Sequence, residues 1–248
     1  MPRPRKDHPS VRLPTPPTCG NRDRRQHAED YLRGLLLDGP LRPGDAVPIE
    51  LIARRLGVSR QPVRDAVRRI AADGLVEILP QIGSRVRRPD PHAVADFFRV
   101  FAAAEGVVVG LAARRRTKAE ALDFQVETRK LLACAHAAGS AESRDPGHRA
   151  INRSFYASIH AMARSPFTVT LAEGLWDLSD FYIRAAFGSL YFSKRVQAAH
   201  RQMAAAIVAG ETSRAEAATR QHLESVGDRA IDALYGHQYR PSPSVRAL

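Results

Sequence analysis

The chain has 248 residues, with 38 Lys and Arg against 26 Asp and Glu, a formal net charge of +12. That length holds a small domain plus one of ordinary size, and the basic excess makes a polyanion the first partner to consider. Two cysteines, Cys19 and Cys134, are too few for a disulfide framework or a thiolate metal site. No apolar segment follows the basic start, and the longest apolar run, Val100 to Ala113, is broken by Glu105 and shorter than the roughly 20 residues of a membrane span. A soluble, cytoplasmic protein with no membrane partner is expected.

Residues 1 to 23, rich in proline and cations, are expected to be a disordered tail. Such a tail either adds non-specific DNA affinity or has no role. From Arg24 to Leu37 a helix is predicted, with Ala28, Tyr31, Leu32, Leu35 and Leu36 on one side. Gly39, Pro40, Pro43 and Gly44 interrupt the chain, and Leu51, Ile52 and Leu56 then suit one face of a second helix, ended by Gly57. Ser59 is placed as an N-cap, and Pro62 falls in the first turn of a third helix, where its missing N–H removes no helical bond.

The third helix has two faces of opposite character. Val63, Ala66, Val67 and Ile70 point inward, while Arg60, Arg64 and Arg68, with Gln61 beside them, form an outward stripe. Arginine can donate two parallel hydrogen bonds to guanine O6 and N7, and its charge suits phosphate, so the stripe is what a recognition helix needs. Leu75 to Leu79 alternates as a strand, Pro80 to Ser84 makes a turn, and Arg85 to Arg88 forms a second strand with outward cations. The plain alternative is a solvated arginine face. Cap, turn, stripe and wing occurring in this order favour a winged helix-turn-helix over residues 24 to 88. The first 90 residues carry 18 basic and 11 acidic side chains, or +7 of the total +12.

Residues 89 to 91 are the predicted linker. Beyond them the chain turns alanine-rich and helical: His92 to Arg116, Lys118 to Ala138, Gly147 to Arg164, Pro166 to Phe187, Ser193 to Ala209, and Arg214 to Tyr235. Thr117 with Glu120, and Ser213 with Glu216, have capping-box spacing, and Ser165-Pro166 is a cap followed by proline. Six helices of this length imply a helical bundle over 92 to 236, and 237 to 248 is expected to be a loose tail. The fold class is therefore mainly α, a winged helix-turn-helix followed by an all-helical domain.

LGVSRQPVRDAV followed by DGLVEILPQIGSRVRR resembles the GntR family of bacterial transcription regulators. On that pattern Arg60 and Arg64 fall on DNA-contacting arginines and Gly83 on the wing tip; Ser59, Gln61, Arg68 and Arg85 complete the expected DNA-binding set. Where the family often has Glu-Arg near the start of the second helix, this chain has Ile49 and Glu50. A carboxylate there repels phosphate, which leaves Arg54, Arg55 or the wing to compensate. Three later segments, AAAEGVVVGLAARRRT, INRSFYASIHAMARSPF and HRQMAAAIVAGETSRAEAATRQHL, resemble in order the FCD effector domain of FadR-type members.

The resemblance implies a homodimer that reads a pseudo-palindromic double-stranded operator under control of a small-molecule effector, commonly an organic acid. It also implies a divalent metal such as zinc, held by one Asp or Asn and three His. The corresponding positions are Asn152, Tyr156, His200 and His222, so one histidine is replaced by a phenol. His160, one turn further on, drifts about 40° from the face of Asn152 and Tyr156 and is a possible substitute. Without metal, the same four side chains are expected to bind a carboxylate or hydroxyl directly. Phe101 stands where the family often has an arginine, which favours a less charged effector. Two rival readings are an architectural nucleic-acid-binding protein without effector and a metal-dependent enzyme; no Gly-rich phosphate loop, nucleophile elbow or His-Glu-x-x-His motif supports the second.

Overall fold

The computed structural model describes residues 12–16, 23–137, 147–188 and 193–236, so most of the two predicted tails lies outside the described residues. The chain divides into two compact units, Met1–Arg88 and Pro89–Leu248. The first contains α1 (Arg24–Leu37), α2 (Ile49–Leu56), α3 (Arg60–Ala72), β1 (Val76–Leu79) and β2 (Gly83–Val86). Gly57 ends α2 in the left-handed conformation (φ 65°), and Ser59 starts α3 from extended backbone without a side-chain capping bond. Val63, Ala66, Val67 and Ile70 are buried, and α3 packs on α1.

β1 and β2 pair antiparallel, from Val76 opposite Val86 to Leu79 opposite Gly83. The second strand thus starts two residues earlier than predicted. Its other edge explains this: Val47 N–H donates to the Ser84 carbonyl at 2.9 Å and Val86 N–H to that of Asp45 at 2.8 Å. A stretch read from sequence as loop lines the sheet and holds 84–86 extended. Residues 12–16 are also placed. Leu13 is buried, the Tyr31 hydroxyl donates to the Pro14 carbonyl at 2.6 Å, and the Arg55 guanidinium donates to the carbonyls of Leu13 and Pro14.

One carboxylate ties α1 to α3. Glu29 is buried and accepts from Arg33 at 3.0 Å and Arg69 at 2.8 Å. Burial raises the Glu29 pKa, but hydrogen bonds and charge from Arg69 and Arg33 outweigh it and hold it below the ordinary value.

The second unit holds α4 (Pro91–Arg115), α5 (Lys118–Ala137), α6 (Gly147–Ala163), α7 (Pro166–Phe187), α8 (Lys194–Ala209) and α9 (Thr212–Tyr235). α4 is the central helix, lying against α6, α7, α8 and most extensively α9. Its start is set by Asp90, whose carboxylate accepts from Ala93 N–H at 2.9 Å, and by Pro91 at the first helical position. Along the α4–α9 seam the backbones come close: a Cβ on Gly227 would lie 2.6 Å from Phe98. The Thr117–Glu120 box closes as predicted, with Thr117 N–H donating to Glu120 at 2.7 Å and Glu120 N–H to Thr117 Oγ1 at 3.2 Å. The box predicted at Ser213 does not form. α9 starts earlier, at Thr212, and Glu216 turns toward Gly106 and Gly110 of α4. No helix among the described residues is long and apolar enough to cross a membrane.

Glu105, wholly buried on α4, joins three helices. Trp176 Nε1–H of α7 donates to its carboxylate at 2.6 Å, and His160 Nε2 of α6 lies 3.1 Å from both oxygens. Burial opposes a charge on His160, but Glu105 and then Glu173 outweigh it and raise its pKa above the ordinary value. A buried carboxylate with two donors stays buried only while both remain.

Two stability predictions follow from these ties. Glu29→Gln is expected to cost about 1–3 kcal/mol at neutral pH by urea unfolding. Because the folded pKa of Glu29 is depressed, its contribution is full above the unfolded value and lost as pH falls through the folded one. The variant should therefore also have a shallower loss of stability below about pH 4.5. Glu105→Gln should cost about 3 kcal/mol and shift the emission of Trp176, the only tryptophan. Unchanged emission would show that the Trp176 bond is unimportant.

Candidate functional site

The outer face of α3 carries Arg60, Gln61, Arg64 and Arg68, all exposed. Three of the four are engaged by carboxylates. Arg60 pairs with Glu50 of α2 at 3.1 Å, while Gln61 and Arg68 both donate to Asp65, at 2.9 and 3.0 Å. Arg64 pairs with no acidic side chain among the described residues and points to solvent. In the wing, Arg85 pairs with Glu77 at 2.5 Å and Gly83 takes φ 129° at the end of the turn. Exposed pairs of this kind are weak in water, so phosphate oxygens can replace the carboxylates.

Glu50 does more here than repel phosphate, because it holds an arginine of the stripe. Arg55 gives its donors to the segment at 13–14, which leaves Arg54 as the exposed cation of α2 not so engaged. Ile82, 82% exposed at the wing tip, was not singled out by sequence reasoning, which looked there for charge.

In the second unit, Asn152 and Tyr156 of α6 and His200 of α8 face His222 of α9 across one cavity. The four positions singled out from sequence are thus brought together. His200 Nδ1–H donates to the Val196 carbonyl at 2.9 Å, its Nε2 lies 3.2 Å from Asn152 Oδ1, and the His200 and His222 rings are 5.1 Å apart. Burial lowers the His200 pKa to about 4; burial, then His200 and Arg229, lowers that of His222 to about 3. Both rings are neutral at pH 7. The Tyr156 hydroxyl is buried in the wall and has no hydrogen-bond partner among the described residues, and burial, then Glu105, pushes its pKa well above 10.

Two expected residues are placed elsewhere. Phe101 is wholly buried behind the wall, its ring edge-on to Trp176 at 5.0 Å, and is not among the lining residues. His160 is committed to Glu105 and does not line the cavity, so it is no substitute ligand there. Arg229 lines the cavity and was missed; it follows His222 by seven residues, two turns on one face of α9, and that spacing was the available signal. No acidic side chain is among the described lining residues.

A divalent cation fits this donor set poorly. The four donors are an amide, a phenol and two neutral imidazoles, and no cluster of three or more His, Cys, Asp or Glu with metal-ligand placement occurs among the described residues. Charge compensation would have to come from outside the protein.

Comparison with known proteins identifies both units. The family model described as bacterial regulatory proteins, gntR family, matches residues 24–86, and the FCD domain model matches residues 96–225. The HTH-type transcriptional repressor GlaR of Escherichia coli strain K12 is 27% identical over 200 residues, covering 78% of this chain and 89% of that protein. The Uxu operon transcriptional regulator of the same strain is 26% identical over 231 residues, with 84% and 86% covered. These relatives are transcription regulators, not enzymes. Among solved structures, E. coli McbR/YncC superposes with a TM-score of 0.67 at 21% identity, covering 88% of this chain and 99% of that one, and so shares the fold. With an arginine-faced winged helix ahead of a helical ligand-binding domain, the chain belongs to the GntR family of bacterial transcription regulators, in the branch that carries an FCD domain.

Proposed function

We propose that this regulator binds a pseudo-palindromic operator as a homodimer and is controlled by a small organic acid held in the cavity between α6, α7, α8 and α9. The observation that carries the effector reading is the polarity of the cavity. Tyr156, His222 and Arg229 offer donors, no described lining residue is acidic, and Trp176, Ile183 and Leu223 supply apolar wall. An anion with an apolar body meets complementary groups there. Arg64, exposed at the middle of the stripe and unpaired among the described residues, is the residue proposed to read a base edge, and Arg60, Gln61, Arg68, Gly83 and Arg85 are proposed to position the duplex. For the effector to control binding, it must prefer one arrangement of the dimer over another.

Arg64→Ala is expected to lose specific operator retention in a gel shift while unfolding at the parental temperature. Equal operator affinity for variant and parent would sink the assignment. Glu50→Gln should act oppositely: with Arg60 released, the salt dependence of binding to non-specific duplex should steepen by about one phosphate contact. In thermal melts, a carboxylate panel running from acetate and succinate to benzoate should include a stabilising member whose effect Arg229→Met removes. A panel without effect would favour an effector-independent DNA-binding protein.

A further inference from the structure

The cavity keeps the geometry of a metal site but not its charge. Asn152 Oδ1 and His200 Nε2 are 3.2 Å apart, a separation that two ligands of one ion also show, and the His222 ring stands 5.1 Å from that of His200. Protein zinc sites supply at least three thiolate, imidazole or carboxylate ligands, a need that three histidines alone can meet, and this pocket supplies two imidazoles. Here Asn152 contributes an amide where an aspartate would bring a full negative charge, and Tyr156 contributes a phenol, which at an ordinary pKa near 10 keeps its proton.

The hydrogen bonds lead the same way. With Nδ1–H of His200 given to Val196, the remaining lone pair on Nε2 faces the Asn152 side chain. The amide oxygen faces that lone pair, acceptor to acceptor, and a half-turn of the amide brings its NH2 there as a donor, using the electrons a metal would need. The Tyr156 hydroxyl then remains: a buried donor in the wall with no partner among the described residues. Buried donors without partners are rare unless a ligand completes them.

We infer that this pocket takes its ligand directly, with no resident divalent cation, and that the Tyr156 hydroxyl donates a hydrogen bond to the ligand's acceptor oxygen. The inference rests on the effector reading above, yet its metal half is tested without any effector. Full-length protein would be purified without chelator, dialysed, assayed for bound metal by mass spectrometry, and titrated with zinc chloride by calorimetry. The parent should carry only substoichiometric metal. Asn152→Asp with Tyr156→His, which restores one anionic ligand and a third imidazole, should bind zinc on the order of a hundredfold more tightly. Trp176 emission reports whether the double variant is folded, and the parent's metal content decides even where it is not.

One tightly held equivalent of metal in the parent, lost on His222→Ala, would overturn the inference. So would parental and double-variant proteins of equal zinc affinity. In the carboxylate panel, a stabilisation that persists in EDTA and falls at least roughly tenfold in affinity on Tyr156→Phe supports the direct bond. A stabilisation abolished by EDTA overturns it. A panel with no stabilising member is instead a failure of the effector reading, and leaves the metal assay to decide.

Discussion

A single carboxylate inside the helical unit sets the terms for what surrounds it. Glu105 has no contact with solvent, and a charge in such a place costs several kcal/mol unless fully hydrogen-bonded. It can therefore sit on α4 only if α6 brings His160 and α7 brings Trp176 to within bonding distance. Those same helices carry Asn152, Tyr156 and Ser179 into the cavity wall, and Trp176 belongs to the bond and the wall at once. The cavity's position is thereby a by-product of satisfying one buried charge.

The two functional surfaces use opposite electrostatics. On α3 and the wing, cations are held by exposed carboxylates, Glu50, Asp65 and Glu77, in pairs that water already weakens. Such an arrangement keeps long side chains oriented while leaving them exchangeable, which suits a partner whose charge is repeated along its length. In the cavity Asn152, Tyr156, His200 and His222 are buried and neutral beside the cation Arg229, so each unmet hydrogen bond has a real cost. That suits a partner recognised one group at a time.

Much of this was legible in the chain because it is local. The arginine stripe, the Gly57 cap, the inward face at Val63, Ala66, Val67 and Ile70, and the Thr117–Glu120 box each depend on residues within one or two helical turns. The family resemblance added Asn152, Tyr156, His200 and His222, which spacing alone would never have joined. What stayed illegible was pairing over distance. Glu105 meets partners 55 and 71 residues away, and Arg55 meets the carbonyls of a segment 41 and 42 residues earlier. Proline-rich composition argued for disorder at 12–16, but it could not reveal that Tyr31 and Arg55 present donors to exactly those proline-flanked carbonyls. The supposed box at Ser213 failed for the converse reason: Glu216 had a better use against two glycines of α4.

The missing side chain at Gly227 has reach well beyond α9. Phe98 occupies the space a Cβ there would fill, and its ring lies 6.4 Å from Phe101, which in turn meets Trp176 edge-on at 5.0 Å. Close-packed rings do not compress, so volume added at one end must emerge at the other. A methyl group on the far helix would thus be felt as a displaced indole in the cavity wall, and the pocket's shape is inherited in part from a residue that never touches it.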